Sequence, residues 1–361
     1  MCHKLTPPEQ QKNDGILAVD IGSGTQDILV YRPFEEMENN VKMVLPSQAR
    51  IVAGRIERLT KAGRDIYIHG HLMGGGSSSG AVKRHLKAGY NVYATRQAAL
   101  TIKDNLEKVA AQGVKVVETP PGTCVPVEFK DIDIPALREA LQPFGIKLPG
   151  VFAFAVQDHG FSPDRSNRQF RFEHWERFLT SGGSLGDLIY DQNSVPGYFT
   201  RMKAVMDSCR EEAEQVWLMD TGAAAIMGTL EDPVVRKATN NGGSILVNVG
   251  NQHTIAFLAA GSRVYGVFEH HTGMLTADTL QDYLARFQKG ALNHEEVFAD
   301  HGHGCAILPE AGDFSFDFIS ITGPRRGLAA GSGYMAVPHG DMMISGAAGL
   351  VRGVLETSSC C

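Results

Sequence analysis

The stretch Asp20-Ile21-Gly22-Ser23-Gly24-Thr25-Gln26 lies between two short apolar runs, Ile16–Val19 and Ile28–Tyr31. An acidic residue at a strand end, followed by a Gly-rich turn, suits a particular chemistry. Backbone N–H groups of the turn can face phosphate oxygens, glycine permits close approach, and the carboxylate can hold Mg2+ through water. A second stretch repeats the pattern: Ile245-Leu246-Val247 leads into Asn248-Val249-Gly250-Asn251-Gln252-His253-Thr254. One Gly-rich turn is unspecific. Two of them, a domain length apart, point to a phosphate-bearing ligand gripped from both sides.

Other residues offer further chemistry. Asp220 precedes the small-residue run Thr221–Gly228. A carboxylate there can orient a nucleophile or accept its proton, or it can cap a helix, and the two roles are compatible. Leu72–Gly80 is a Gly/Ser loop between a predicted strand and a predicted helix. Its Gly75, Gly76, Ser77 and Ser78, with Lys83 and Arg84 beyond, form a candidate anion site; a plain surface loop is the alternative. Histidines fall at predicted strand ends and in a Gly-rich loop: His69 and His71, His159 after Asp158, His270 and His271, and His301 and His303. His159, His270 and His271 are candidates for substrate hydrogen bonding. His69, His71, His301 and His303 are candidates for a second, transition-metal ion, although no H-E-x-x-H spacing is present.

The elements that must position these residues follow from local pattern. Strands are predicted near Ile51–Ile56, Ile66–His69, Asn91–Ala94, Val114–Glu118, Val151–Val156 and Val216–Met219. Helices are predicted near Ala81–Ala88, Ala98–Gln112, Pro135–Leu141, His174–Leu179 and Tyr198–Glu214, with Ser162–Gln169 an exposed loop. The alternation implies sheets with helical cover, an α/β class. Thr239–Gly243 reads as a turn between two lobes.

With these residues in place, the chain resembles the superfamily of sugar kinases, Hsp70 chaperones and actin. Asp20–Gln26 is similar to its first phosphate loop. Asn248–Thr254 is similar to the second, with Asn248 where Asp is usual. Leu218–Gly228 and Ser345–Val351 resemble its two connecting helices, and Phe318–Arg325 its adenosine-contacting strand and turn. The resemblance implies a two-lobed actin-like ATPase (ribonuclease H-like) fold with a nucleotide cleft. Residues 1–14 would be a flexible tail, 15–240 lobe I and 241–361 lobe II. It implies ATP and Mg2+ as cofactors, with Asp20 on metal-bound water and Asp220 orienting the nucleophile. Gly22, Ser23, Gly24, Thr25, Gln26, Asn248, Gly250, Asn251, Gln252, His253 and Thr254 would cradle phosphates, and Thr322, Gly323 and Arg325 would meet the nucleoside. More narrowly, Leu17–Tyr31, Glu269–Gly273 and Asp300–Cys305 resemble an archaeal and bacterial family labelled pyruvate formate-lyase activating protein.

These readings converge on an ATP-dependent phosphotransferase or ATPase that primes another enzyme or acts on a small anionic substrate. The alternatives are a slow nucleotide-driven switch binding a partner protein, and a metal-assisted group transferase. Radical iron–sulfur chemistry is not expected, because the cysteines at 2, 124, 209, 305, 360 and 361 form no C-x-x-x-C-x-x-C triad. A formal net charge of −6 argues against a phosphate-backbone-binding protein, so no nucleic-acid partner is expected. The absence of a long apolar run or a signal-peptide pattern makes a cytoplasmic protein without membrane contact the expectation.

Overall fold

The computed structural model describes residues 15–358. The chain opens as an antiparallel meander, β1 (Ile16–Ile21), β2 (Thr25–Tyr31) and β3 (Val41–Pro46), and runs into α1 (Gln48–Lys61). A parallel unit follows: β4 (Ile66–Gly70), α2 (Gly76–Lys87), β5 (Val92–Ala94), α3 (Arg96–Ala99), α4 (Leu106–Ala110), β6 (Val114–Val116) and β7 (Val125–Phe129). Then come α5 (Ile134–Leu141), β8 (Val151–Val156), α6 (Asn167–Thr180), β9 (Ile189–Asp191), α7 (Thr200–Cys209), β10 (Gln215–Met219), α8 (Thr221–Thr229) and α9 (Pro233–Gly242). A second meander, β11 (Ser244–Val249), β12 (His253–Ala260) and β13 (Arg263–His271), leads through α10 (Ala277–Gln288) and α11 (His294–Ala299) to β14 (Gly304–Ile307). β15 (Phe318–Thr322), β16 (Tyr334–Met335) and α12 (Ser345–Ser358) complete the mixed α/β architecture.

Three sheets result among the described residues. The first has the order β3-β2-β1-β8-β10-β9 and the second β14-β13-β12-β11-β15-β16; residues 66–129 supply a four-stranded parallel sheet ordered β6-β5-β4-β7. In both six-stranded sheets the opening strand pairs antiparallel with the next strand of its meander and parallel with a later strand on its other side. No helix among the described residues is long and apolar enough to cross a membrane.

Alternation along the strands decides what each face of the first sheet can pack. In Val151–Val156, Phe152, Phe154 and Val156 enter a core with α5 and α7, while Ala153 and Ala155 face the opposite core. β1 repeats this division, with Leu17, Val19 and Ile21 on one face and Ala18 on the other. The alanine face leaves room for α8 and α12, which cross between the two six-stranded sheets. Their backbones meet at glycine. A β-carbon on Gly228 would stand 1.7 Å from the Ser345 carbonyl oxygen, and one on Gly349 would stand 1.9 Å from that of Ala224.

Several predicted elements are corrected. Ile51–Ile56 is helical rather than extended: buried Ala49, Val52, Ala53 and Ile56 recur at helical spacing, and Ser47 caps α1 by accepting from the Arg50 N–H. Ala98–Gln112 divides into α3 and α4, capped by Thr95 and Asn105. The helix placed at Ala81 begins at Gly76, so Ser77 and Ser78 are helical. The loop expected over Ser162–Gln169 ends at α6, whose first residue is Asn167, and Ser162 is buried. Residues 1–14 lie outside the described residues.

The glycine crossing predicts a specific sensitivity. Gly228→Ala forces α8 away from α12 and should cost about 1–3 kcal/mol or more in urea denaturation. Gly327→Ala, where a β-carbon meets nothing within 4 Å, should change stability little.

Candidate functional site

Both Gly-rich turns close in the same way. The Gly22 N–H donates to the Thr25 carbonyl at 2.9 Å, and the Gly250 N–H donates to the His253 carbonyl at 2.9 Å. The turns meet: a β-carbon on Gly24 would lie 2.9 Å from Asn251 Nδ2. Between the two six-stranded sheets they border one cavity of about 370 Å³. Its walls include Asp20, Gly22, Ser23 and Thr25 from the first turn, and Asn248, Gly250, Asn251, Gln252 and His253 from the second. Thr322 and Gly323, Gly75, Gly76 and Ser77, Asp220, and His159 also reach it. Gly323 takes a φ of 99° and packs so tightly on β11 that a β-carbon would lie 2.4 Å from the Val249 carbonyl oxygen.

Other sequence candidates stand elsewhere. Gln26 is buried and donates to the Pro46 carbonyl, Thr254 pairs with Thr272 through their hydroxyls, and Ser78 donates back to the Gly74 and Gly75 carbonyls. Lys83 and Arg325 are exposed, and Arg84 pairs with Glu57 at the surface. His270 is buried with Nε2 3.2 Å from the Asp300 carboxylate. His271 and His301 border a second, shallower cavity with Arg168 and Met274. The expected grouping of His69, His71, His301 and His303 is not assembled. His69 stacks on Tyr67 in the four-stranded sheet, and the His71 N–H is held by the Phe129 carbonyl. Instead, the donor atoms of His159, His253 and His303 lie within 4.8 Å of one another.

Asp20 and Asp27 are direct cross-strand partners in the first hairpin. Asp20 accepts from the Thr221 hydroxyl at 2.5 Å, and the start of α12 presses on it: a β-carbon on Gly346 would lie 2.0 Å from Asp20 Oδ2. Asp27 Oδ1 is buried with no hydrogen-bond partner. Burial, reinforced by Asp27, raises the Asp20 pKa to about 8, and burial raises that of Asp27 to about 7.

Behind the cavity stands a buried ion network. Arg171 Nε donates to both oxygens of Glu269, at 2.9 and 2.8 Å, and its Nη1 donates to Asp220 Oδ2 at 2.8 Å. Trp175 and Gln157 add hydrogen bonds to Glu269. Burial opposes the charge on Glu269, but Arg171, His303 and His253 together outweigh it and hold the carboxyl well below its usual range. Asp220 also accepts from the Gly222 N–H and so caps α8. Alongside, Arg201 pairs with Asp131, which accepts from the Gly74 N–H, and Asp158 accepts from the Gly160, Arg201 and Met202 N–H groups. Burial lowers the pKa of His159 well below its ordinary value, and that of His303 to about 3.

A family model described as "Putative pyruvate format-lyase activating enzyme (DUF1786)" matches residues 73–328, more than half of the chain. The chain belongs to that family. The match begins after the first Gly-rich hairpin and ends before α12. It takes in α6, the second turn, Glu269 and the three clustered histidines. No curated protein matches the chain.

Sequence reasoning missed Arg171, Glu269 as an anchor, Asp27, Asp131 and Arg201. Asp27 was available from the hairpin register, since a turn that pairs Ile21 with Gln26 sets Asp20 against Asp27. Arg168, Arg171 and Trp175, spaced three and four apart, give one face of a polar helix an unusual content.

Two measurements probe this network. Arg171→Met leaves Glu269 buried without its counter-ion and should cost about 3–5 kcal/mol in denaturant unfolding; Glu269→Gln, which leaves Arg171 paired with Asp220, should cost less. Asp20 has a folded pKa of about 8 against 3.8 as its ordinary value, so its ionisation weakens the metal-free fold progressively as pH rises between them. Asp20→Asn removes that penalty. Its stability gain over the parent in chelator should grow from pH 4 towards pH 8.

Proposed function

We propose that the cavity between the six-stranded sheets binds a magnesium–nucleotide complex, and that the protein is an ATP-dependent phosphotransferase or ATPase of the two-lobed actin-like (ribonuclease H-like) kind. One observation carries the reading: two turns of matching sequence pattern, each closed by the same hydrogen bond at 2.9 Å, face a single cavity from two sheets. The strand orders support it, because each sheet places an antiparallel meander beside a parallel crossover strand. On this reading residues 15–240 and 241–361 correspond to the two lobes, with α12 packed back onto β1 and β8 of the first.

The residues present fit the implied cation. Like charges directly opposed across two strands repel, and Asp20 and Asp27 are such a pair. Asp27 Oδ1 has no protein partner, so water on a divalent ion would satisfy it. A bound Mg2+ would neutralise phosphate charge. The turn backbones would hold phosphate oxygens, Asn251 and Gln252 would add polar contacts, and Thr322 and Gly323 would border the nucleoside.

Asp220 is placed to orient a nucleophile at the cavity wall. Its two oxygens are already engaged, one by Arg171 and the other by the Gly222 N–H. That restraint favours a second reading, a slow nucleotide-driven switch for a partner protein. An activase that spends ATP to prime another enzyme agrees with the family label, whereas a cysteine-ligated radical cluster does not, since no cysteine triad of that spacing exists in the sequence.

Calorimetric titration of ATP with and without Mg2+, with phosphate release followed on the same samples, tests the proposal. Magnesium-dependent binding should weaken at least tenfold in Asp20→Asn. Sustained turnover would identify the enzyme, and binding without turnover the switch. A folded parent protein that binds no nucleotide would end the proposal.

A further inference from the structure

His253 opens β12 and His271 closes β13, and the two are paired in register. On the next strand, Glu269 pairs with Gly304, and the His303 N–H donates to the Glu269 carbonyl at 2.9 Å. Consecutive strands of the second sheet therefore bring imidazoles to one end. His159, just beyond β8 of the first sheet, meets them from across the cavity: its ring centroid is 5.4 Å from that of His253 and 5.6 Å from that of His303.

His303 is the anomaly. It is fully buried, yet neither of its ring nitrogens has a hydrogen-bond partner. A buried polar side chain left wholly unpaired costs free energy and is rare in native structures. Its loop is nonetheless held firmly: Arg168 donates to the Gly302 carbonyl at 2.6 Å, and a β-carbon on Gly302 would lie 2.4 Å from the His270 ring. His253 presents Nδ1 to Glu269 Oε1 at 3.4 Å, which turns Nε2 away from the carboxylate. Nδ1 makes no hydrogen bond at that distance, but a carboxylate so placed is the kind of group that supports an imidazole bound to metal through its other nitrogen. Of the cations near the cluster, Arg171 is paired with Glu269 and Asp220, and Arg168 is bonded to backbone carbonyls.

We infer that His159, His253 and His303 form a three-imidazole site for a divalent first-row transition metal of the Zn2+ type, open on its fourth side to the main cavity. The donor set decides the metal class, because neutral imidazoles suit Zn2+ and its neighbours and suit Mg2+ poorly. Three protein ligands with one open position is the pattern of a catalytic rather than a structural centre. His159 and His253 both line the cavity, so the open position faces whatever occupies it, and an oxyanion or water is the ligand class that fits. The ligand atoms, now within 4.8 Å of one another, would draw together to sit about 2.0–2.1 Å from the ion. The inference stands apart from the nucleotide reading and needs no nucleotide to be tested.

The test uses untagged full-length protein with Cys2, Cys360 and Cys361 replaced by Ser, so that thiols at the ends of the chain cannot take up metal. After dialysis against chelator, Zn2+ is titrated by calorimetry, and Co2+ by its visible absorption, without nucleotide. One equivalent should bind, with the intense absorption of a four-coordinate nitrogen–oxygen site. His159→Asn and His253→Asn, at half-buried positions, should each weaken binding at least tenfold, and His303→Gln should do the same if circular dichroism shows it folded. His69→Asn and His71→Asn should bind like the parent. No uptake by the parent, or uptake unchanged in folded His159→Asn and His253→Asn, would overturn the site.

Discussion

Much of the structure depends on one guanidinium. Arg171, on α6, holds Asp220 at the junction of β10 and α8 and Glu269 near the end of β13 in the second sheet. It thus ties an acidic group of the first sheet to one of the second, largely buried at the wall of the cavity. A buried ion pair is weak evidence for net stability, but it tolerates few alternative geometries. Glu269 then accepts from Trp175 and Gln157 and lies 3.4 Å from His253 Nδ1, so the position of one charge organises the back wall of the cavity.

The second constraint is size rather than charge. Ala18, Ala153 and Ala155 on the first sheet, and Gly228 and Gly349 on the helices, let α8 and α12 pass between the sheets at backbone contact. That closeness brings Thr221 and Gly346 onto Asp20. The Asp20 carboxyl is therefore enclosed by the helix pair as well as by its own hairpin, and this burial raises its pKa even though the Thr221 hydroxyl favours the ionised form.

Legibility in the sequence followed the range of the interactions. The two Gly-rich hairpins, the alanine-rich helix after Asp220 and the α/β class were readable because each is written in a contiguous stretch. Ile51–Ile56 misled because an apolar run of that length suits strand or helix until its burial pattern is known. Three strands of the four-stranded sheet within residues 66–129 were visible, but β7 (Val125–Phe129) and the existence of a separate sheet were not. The histidines were visible as candidates, but their grouping was not. His159 meets His253 and His303 only through the approach of two sheets, and no spacing along the chain encodes it. Arg171 was missed because a basic residue in a polar helix looks solvated until its partners arrive from elsewhere.

The path of α12 has a consequence for how the protein comes to be folded. Its first residue, Ser345, lies more than three hundred positions after β1, yet α12 packs on β1 and β8. During translation the first sheet is therefore made long before the cover of its alanine face, begun by α6 and α8, is complete. Contacts of such sequence separation slow folding, and an uncovered apolar sheet face invites association with other chains. A nascent chain halted between α8 and Ser345 would still present the part of that face that α12 covers, so the first two thirds of this sequence are the part expected to lean on chaperones while the rest is being made.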